Sequence, residues 1–222
     1  MAQNRYLLFD LDGTLTDPGL GITNAVMYAL EKFGITVGTR EELYPYIGPP
    51  LTDSFQRYHG LTAEQATAAL AEYRVYFSDR GLFENEPYPG IAELLEELQT
   101  AGYRLIVATS KPEEFTRRIL DHFGLAPYFC FVGGNTLDEK RPTKAAVLRY
   151  IRECFPDLDG ANALMIGDRR YDMTGAVENG IPAIGVLYGY GSREELETAG
   201  ADELAASVGA LGEIIRRRLP IG

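Results

Sequence analysis

The sequence predicts an α/β protein, a doubly wound parallel sheet of Rossmann-like type with a small helical segment inserted after its first strand. Two observations predict the sheet. Five short apolar runs, Tyr6–Phe9, Tyr103–Ala108, Tyr128–Val132, Ala163–Ile166 and Ala183–Leu187, are near-continuous rather than alternating, as in strands buried on both faces. Helical periodicity fills the intervals between the later runs, and strand alternating with helix is the signature of a doubly wound sheet. The third observation predicts the insert: residues 18–87 interrupt that rhythm, and their apolar spacing is helical throughout.

Taken in order, the first run ends at Asp10. Beyond it, Ile22, Ala25, Val26, Ala29, Leu30 and Phe33 recur at helical spacing. A second helical region runs from about Thr62 to Arg80, with Leu70, Tyr73 and Phe77 on one face. Pro18 and Pro87–Pro89 mark hinges, because proline ends regular elements. The expected domains are therefore residues 1–17 with 88–222, and residues 18–87. In the larger part, Gly90–Thr100 carries Ile91, Leu94, Leu95 and Leu98 at helical spacing, with Gly102 as its stop. Pro112–Phe123 opens on proline and closes before Gly124. Further helices are expected at Thr143–Cys154, Asp172–Glu178 and Val208–Leu219, the last ending in Arg216, Arg217 and Arg218, where cations suit the helix dipole.

Composition narrows the function. Hydrophobic residues make up 45% and charged residues 24%, the profile of a globular protein. The formal net charge of -11 disfavours nucleic acid and anionic membrane as partners. It also means that any site handling phosphate must bring its own positive charge. Cys130 and Cys154 form no CxxC pair and read as two core thiols. The sequence MAQNRYLLFD enters the first apolar run without a signal-peptide layout, and no apolar stretch is long enough to span a bilayer. A cytoplasmic monomer, or at most a dimer, is expected.

The chemistry gathers where strands end. Phe9-Asp10-Leu11-Asp12-Gly13-Thr14 sets two carboxylates at the end of the first buried strand, the side on which open α/β sheets bind ligands. One such carboxylate can attack phosphorus while its neighbour acts as general acid and then base. Gly13 lets backbone N–H groups approach a phosphate, with Thr14 beside it; the alternative is a plain Asp-Gly turn. The second strand ends in Thr109-Ser110-Lys111-Pro112, where a hydroxyl at a helix start can bind a phosphoryl oxygen or simply cap the helix. The fourth ends in Gly167-Asp168, with Asp172 four residues on. With Asp10 these acids suit Mg²⁺, although Asp172 also reads as a helix N-terminal acid. The required cation is Lys144, in Arg141-Pro142-Thr143-Lys144, with Lys140 as the alternative.

These residues, Asp10-Leu11-Asp12-Gly13-Thr14, Thr109, Lys144 and Gly167-Asp168 with Asp172, resemble the four ordered motifs of the haloacid dehalogenase superfamily of hydrolases, over essentially the whole chain. The resemblance implies that Asp10 is the nucleophile and Asp12 the general acid/base. It implies that Thr109 and Lys144 hold the phosphoryl group, that Asp10, Asp168 and the Asp12 carbonyl ligate Mg²⁺, and that the helical insert is a mobile cap. Gly13, Thr14, Ser110 and Lys111 join Thr109 as candidate substrate contacts. The second acid, Asp12, points to phosphatase rather than dehalogenase chemistry.

The stretches Asp12–Pro18, Ile47–Leu51 and Ala108–Pro112 are similar to the branch holding phosphoglycolate phosphatases and bacterial 5′-nucleotidases. Lys140-Arg141-Pro142-Thr143-Lys144 departs from the Lys-Pro-x-Pro of many phosphoglycolate phosphatases, which favours a nucleoside 5′-monophosphate as the small-molecule substrate. Gly48-Pro49-Pro50-Leu51 reads either as a cap loop or as a helix connector. Arg57, Tyr58, Tyr73 and Arg74 read either as leaving-group contacts or as helix surface. Three rivals stand beside the hydrolase. A phosphosugar mutase would use the same core. A dinucleotide-binding oxidoreductase would need Gly189-Tyr190-Gly191, but Glu194 replaces its third glycine. A non-catalytic module would be expected to lack one of the motif acids, all of which are present.

Overall fold

The computed structural model describes residues 4–221. In chain order its strands and helices begin with β1 (Tyr6–Phe9), β2 (Thr16–Asp17), α1 (Gly19–Glu31), α2 (Leu51–His59) and α3 (Ala63–Tyr76). Then come β3 (Glu86–Pro87), α4 (Ile91–Thr100), β4 (Arg104–Pro112), α5 (Glu113–His122), β5 (Phe129–Asn135) and α6 (Lys144–Cys154). The chain closes with β6 (Ala163–Gly167), α7 (Arg170–Glu178), β7 (Ala183–Val186), α8 (Arg193–Thr198), β8 (Glu203–Ala205) and α9 (Val208–Arg218). It divides into two compact units, 1–16 with 87–222, and 17–86.

The larger unit is the doubly wound sheet the apolar runs predict. Its strand order is β5-β4-β1-β6-β7-β8, and every pairing is parallel. From β1 the chain builds outward to β4 and β5, then crosses to β6, β7 and β8. The order thus reverses beside β1, the place where such sheets bind ligands. Register completes the alignment: Phe9 lies opposite both Val107 and Ile166, so the residues that follow Phe9, Val107 and Ile166 emerge along one edge.

Tyr6 and Leu8 point into a core shared with Ile106, Met165, Val147, Leu148, Ile151, Met173 and Leu196, which is the layer of α6, α7 and α8. Strand alternation sends Leu7 and Phe9 to the opposite face, where both are fully buried. Burial on both faces is why the runs carry no polar alternation.

The smaller unit is helical. Ile22, Ala25, Val26, Ala29 and Leu30 form the buried stripe of α1. On α3 the buried stripe is Ala66, Ala69 and Tyr73, with Thr62 and Gln65 forming a capping box at its start. Tyr73 stacks on Phe77 at 5.0 Å between ring centroids. It is therefore part of this unit's core and not helix surface, whereas Arg57 and Tyr58 are exposed. Gly48-Pro49-Pro50 joins a 3₁₀ turn at Arg40–Tyr46 to α2.

Two further expectations differ from the structure. Both cysteines are exposed: Cys130 lies on β5, an edge strand, and Cys154 in the last turn of α6. An apolar run therefore does not guarantee that each of its residues is enclosed. The runs also do not reveal β8, a three-residue edge strand. The arginines closing α9 form ion pairs: Arg216 with Glu97, Arg217 with Glu203, and Arg218 with Asp202 and Glu203. Among the described residues no helix is long and apolar enough to cross a membrane.

Candidate active site

Asp10 follows β1 directly and is 7% exposed. Its Oδ1 accepts from the Leu11 backbone N–H at 2.7 Å and from Lys144 Nζ at 2.8 Å. The chain then turns tightly, with Thr14, Leu15 and Thr16 all donating to the Leu11 carbonyl and Gly13 donating to Thr16. Gly13 sits at φ 78, a left-handed conformation suited to glycine. The Asp-Gly turn is therefore real, and the carboxylates are mounted on it. Thr14 is fully enclosed, its hydroxyl buried without a hydrogen-bond partner among the described residues and its carbonyl accepting from the Tyr188 hydroxyl.

Asp12 is directed differently from Asp10. Its Oδ1 pairs with Lys111 Nζ at 2.8 Å, and both side chains are largely buried. Burial, the largest cause, and the Asp10 charge raise the Asp12 pKa above its ordinary value, against the opposing charge and hydrogen bond of Lys111. The carboxyl end of β4 thus supplies a counter-charge as well as hydroxyls. Thr109 is buried, and its Oγ1 accepts from the Lys111 backbone N–H; Ser110 is half-buried. Neither hydroxyl caps α5, whose N-cap position is Pro112.

Lys144 opens α6, after a cap in which Thr143 accepts from the Ala146 N–H. It is 3% exposed, and its ammonium meets Asp10 Oδ1 at 2.8 Å, Asp172 Oδ1 at 2.7 Å and the Ala108 carbonyl at 2.7 Å. The two carboxylate contacts are ion pairs, and the ammonium donates a hydrogen bond to the Ala108 carbonyl. Burial alone would lower the lysine's pKa, but Asp10 and Asp172 outweigh it and raise it. Lys140, the other candidate, is exposed and pairs with Asp138.

Asp168 follows β6 and is fully buried. Its Oδ2 accepts from the Tyr190 N–H at 2.7 Å, while Oδ1 has no hydrogen-bond partner among the described residues. Burial, then the charges of Asp172 and Asp10, raise its pKa well above the usual carboxylate range. Asp172, in the first turn of α7, accepts from the Arg169 N–H, so it does serve as a helix N-terminal acid while facing Lys144 as well. Its pKa is pushed up to about 7 by burial first and the Asp10 charge second, against the opposing pull of Lys144.

Asp10, Asp168 and Asp172 can each offer a carboxylate oxygen, and these atoms lie within 4.8 Å of one another. Three buried acids held together, two of which (Asp168 and Asp172) carry a buried Oδ1 that makes no hydrogen bond among the described residues, suit a hard divalent cation. The Asp12 carboxylate lies outside this set, on Lys111.

Several supporting residues escape sequence reasoning. Asn135, buried at the end of β5, accepts from the Thr136 and Arg141 N–H groups. Arg141 donates to the Gly134 carbonyl and pairs with Glu113 at 2.7 Å, fixing the segment that leads to Lys144. The signal was an asparagine at a strand's carboxyl end, the same position that singled out Asp10 and Asp168.

The family model for haloacid dehalogenase-like hydrolases matches residues 7–186. A 5′-nucleotidase of Pseudomonas aeruginosa is 42% identical over 96% of this chain and 97% of its own length. The tyrosine-protein kinase PtkA of Mycobacterium tuberculosis is 38% identical over 87% of this chain, which spans 65% of that protein. Among solved structures, a predicted phosphatase from Clostridium acetobutylicum superposes with a TM-score of 0.93 at 48% identity, covering 98% of this chain and 100% of that one.

Proposed function

Because the chain belongs to the haloacid dehalogenase-like hydrolase family, we propose that it is a Mg²⁺-dependent phosphomonoesterase that works through an aspartyl phosphate, an acyl phosphate formed on Asp10, with a nucleoside 5′-monophosphate as substrate. The observation that carries this reading is the division of labour between two acids two residues apart: Asp10 on Lys144, Asp12 on Lys111. A small phosphomonoester as partner and the cytoplasm as compartment are part of the same proposal.

Asp10 attacks phosphorus in line, its carboxylate oriented by the Leu11 N–H and Lys144. Lys144 balances negative charge on the transferring group, and the hydroxyls of Thr109 and Ser110 orient it, together with Gly13, Thr14 and Lys111. Asp12, whose burial favours the protonated form, gives its proton to the departing oxygen. As a carboxylate it then takes a proton from the water that opens the aspartyl phosphate. A divalent cation held by Asp10, Asp168, Asp172 and the Asp12 carbonyl supplies, when bound, positive charge for the phosphoryl oxygens. Residues 18–87 take the part of the family's cap domain in this reading.

The substrate class is supported by the name of the P. aeruginosa relative. The PtkA likeness supports a second outcome, transfer of the phosphoryl group to an acceptor other than water. The test is phosphate release from AMP, IMP, their deoxy forms and phosphoglycolate, with Mg²⁺ or EDTA, using Asp10→Asn as the blank. A parallel arm with labelled ATP and a tyrosine peptide reads transfer. Mg²⁺-dependent release from a nucleotide, absent in the Asp10 variant, is expected. Release unaffected by Asp10→Asn would remove the covalent route.

A further inference from the structure

Gly189-Tyr190-Gly191, which fails as a dinucleotide loop, packs against Asp168. The Tyr190 backbone N–H donates to Asp168 Oδ2 at 2.7 Å, while Oδ1 stays buried with no hydrogen-bond partner among the described residues. The approach is so close that only glycine fits. A Cβ on Gly189 would stand 2.4 Å from the Asp168 Cβ and 2.3 Å from the Gly13 carbonyl oxygen. One on Gly191 would stand 1.9 Å from the Asp168 carbonyl oxygen, and one on Gly13 would stand 2.1 Å from Asp168 Oδ2. Loops following β1, β6 and β7 therefore converge on one carboxylate. Tyr188 ties two of them together: its hydroxyl donates to the Thr14 carbonyl, and its ring packs edge-on against Tyr88 at 4.9 Å.

We infer that the Gly189–Tyr190–Gly191 turn is a positioning element for Asp168, holding Oδ2 on a backbone amide so that Oδ1 is presented to a divalent cation. The inference rests on the reading of Asp168 as a metal ligand. A carboxylate bonded at one oxygen has lost its rotational freedom before the ion arrives, and its second oxygen keeps the acceptor role a hard cation needs. An amide serves this purpose without adding a charge that would compete with the ion. The glycines follow from the same demand, since any Cβ would push the strand ends apart and move the ligand atom with them.

The test reads metal binding directly, by calorimetric titration of Mg²⁺ into wild type, Gly189→Ala, Asp168→Asn and the control Gly209→Ala, a glycine where an added Cβ would meet only the Ser207 hydroxyl, at 4.0 Å. The Tyr190 amide resonance of the ¹⁵N-labelled wild-type protein is followed through the same titration. Gly189→Ala should weaken Mg²⁺ binding about 10- to 100-fold, the usual cost of disturbing a ligand's supporting partner. Gly209→Ala should bind as wild type does, and the Tyr190 amide should shift along the calorimetric isotherm. That resonance tests the inference in the wild-type protein even if Gly189→Ala does not fold. A folded Gly189→Ala with wild-type affinity, or a Tyr190 amide unmoved while Mg²⁺ binds, would overturn the positioning role alone. Undiminished Mg²⁺ binding by Asp168→Asn would overturn the ligand reading, and this inference with it.

Discussion

Lys144 is enclosed by two carboxylates and a carbonyl, and nearly all of its surface is removed from water. Desolvating an ammonium is expensive, so the arrangement is stable only because the opposite charges are close. Removing the cation leaves Asp10 and Asp172 facing each other without compensation. Lys144→Met is therefore expected to lose about 3–5 kcal/mol of stability at neutral pH, the usual result of breaking a buried pair. Urea denaturation in EDTA measures it, and a loss below about 1 kcal/mol, the value of an exposed pair, would show that the site lets water in. Part of this residue-scale chemistry was legible in the sequence: the acids stand at strand ends, where ligands bind. The partnership of Lys111 with Asp12 was not, because the two are 99 positions apart and only strand pairing brings them together.

At the scale of elements, α6 carries two faces that depend on each other. Its first residue is Lys144, and Val147, Leu148 and Ile151 bury against the sheet. Ile151→Ala removes methyl groups from a fully buried position, so a loss of about 2–5 kcal/mol is expected, measured as a lower denaturation midpoint. The apolar spacing that makes this face also made the helix legible. In α8 that signal is missing: Arg193–Thr198 is nearly all polar, with Leu196 its buried anchor. In α2 the buried residues are only Ser54 and Phe55. In β8 there is too little length for a pattern. Elements held by one or two contacts carry little periodicity to read.

The whole molecule carries a net charge of -11 and, within its core, several carboxyl groups held away from water. Asp12, Asp168 and Asp172 all have raised pKa values, with burial the largest cause in each. The sign follows from linkage: a raised folded-state pKa means that the folded protein holds the proton more tightly than the unfolded chain. Its stabilising contribution is complete below the unfolded value near 4 and is lost as pH rises through the folded value, about 7 for Asp172. In EDTA the protein is thus expected to be more stable at pH 5 than at pH 8. Denaturation midpoints at the two pH values check it, and a midpoint that rises with pH would contradict the raised values. Mg²⁺, in the proposed role, should narrow the gap by favouring the ionised acids.

By itself, the sequence determined the doubly wound sheet, the helical insert and which acids stand at strand ends. These follow from local pattern: burial on both faces makes a strand continuously apolar, and proline and glycine punctuate the chain where they stand. Only the tertiary structure decided that Asp12 meets Lys111, that Lys144 rather than Lys140 is enclosed by carboxylates, and that Gly189-Tyr190-Gly191 holds Asp168. Each is a meeting of strand ends, loops or helix starts distant in sequence. Such meetings are fixed by strand order and register, which the whole core sets and no local segment contains.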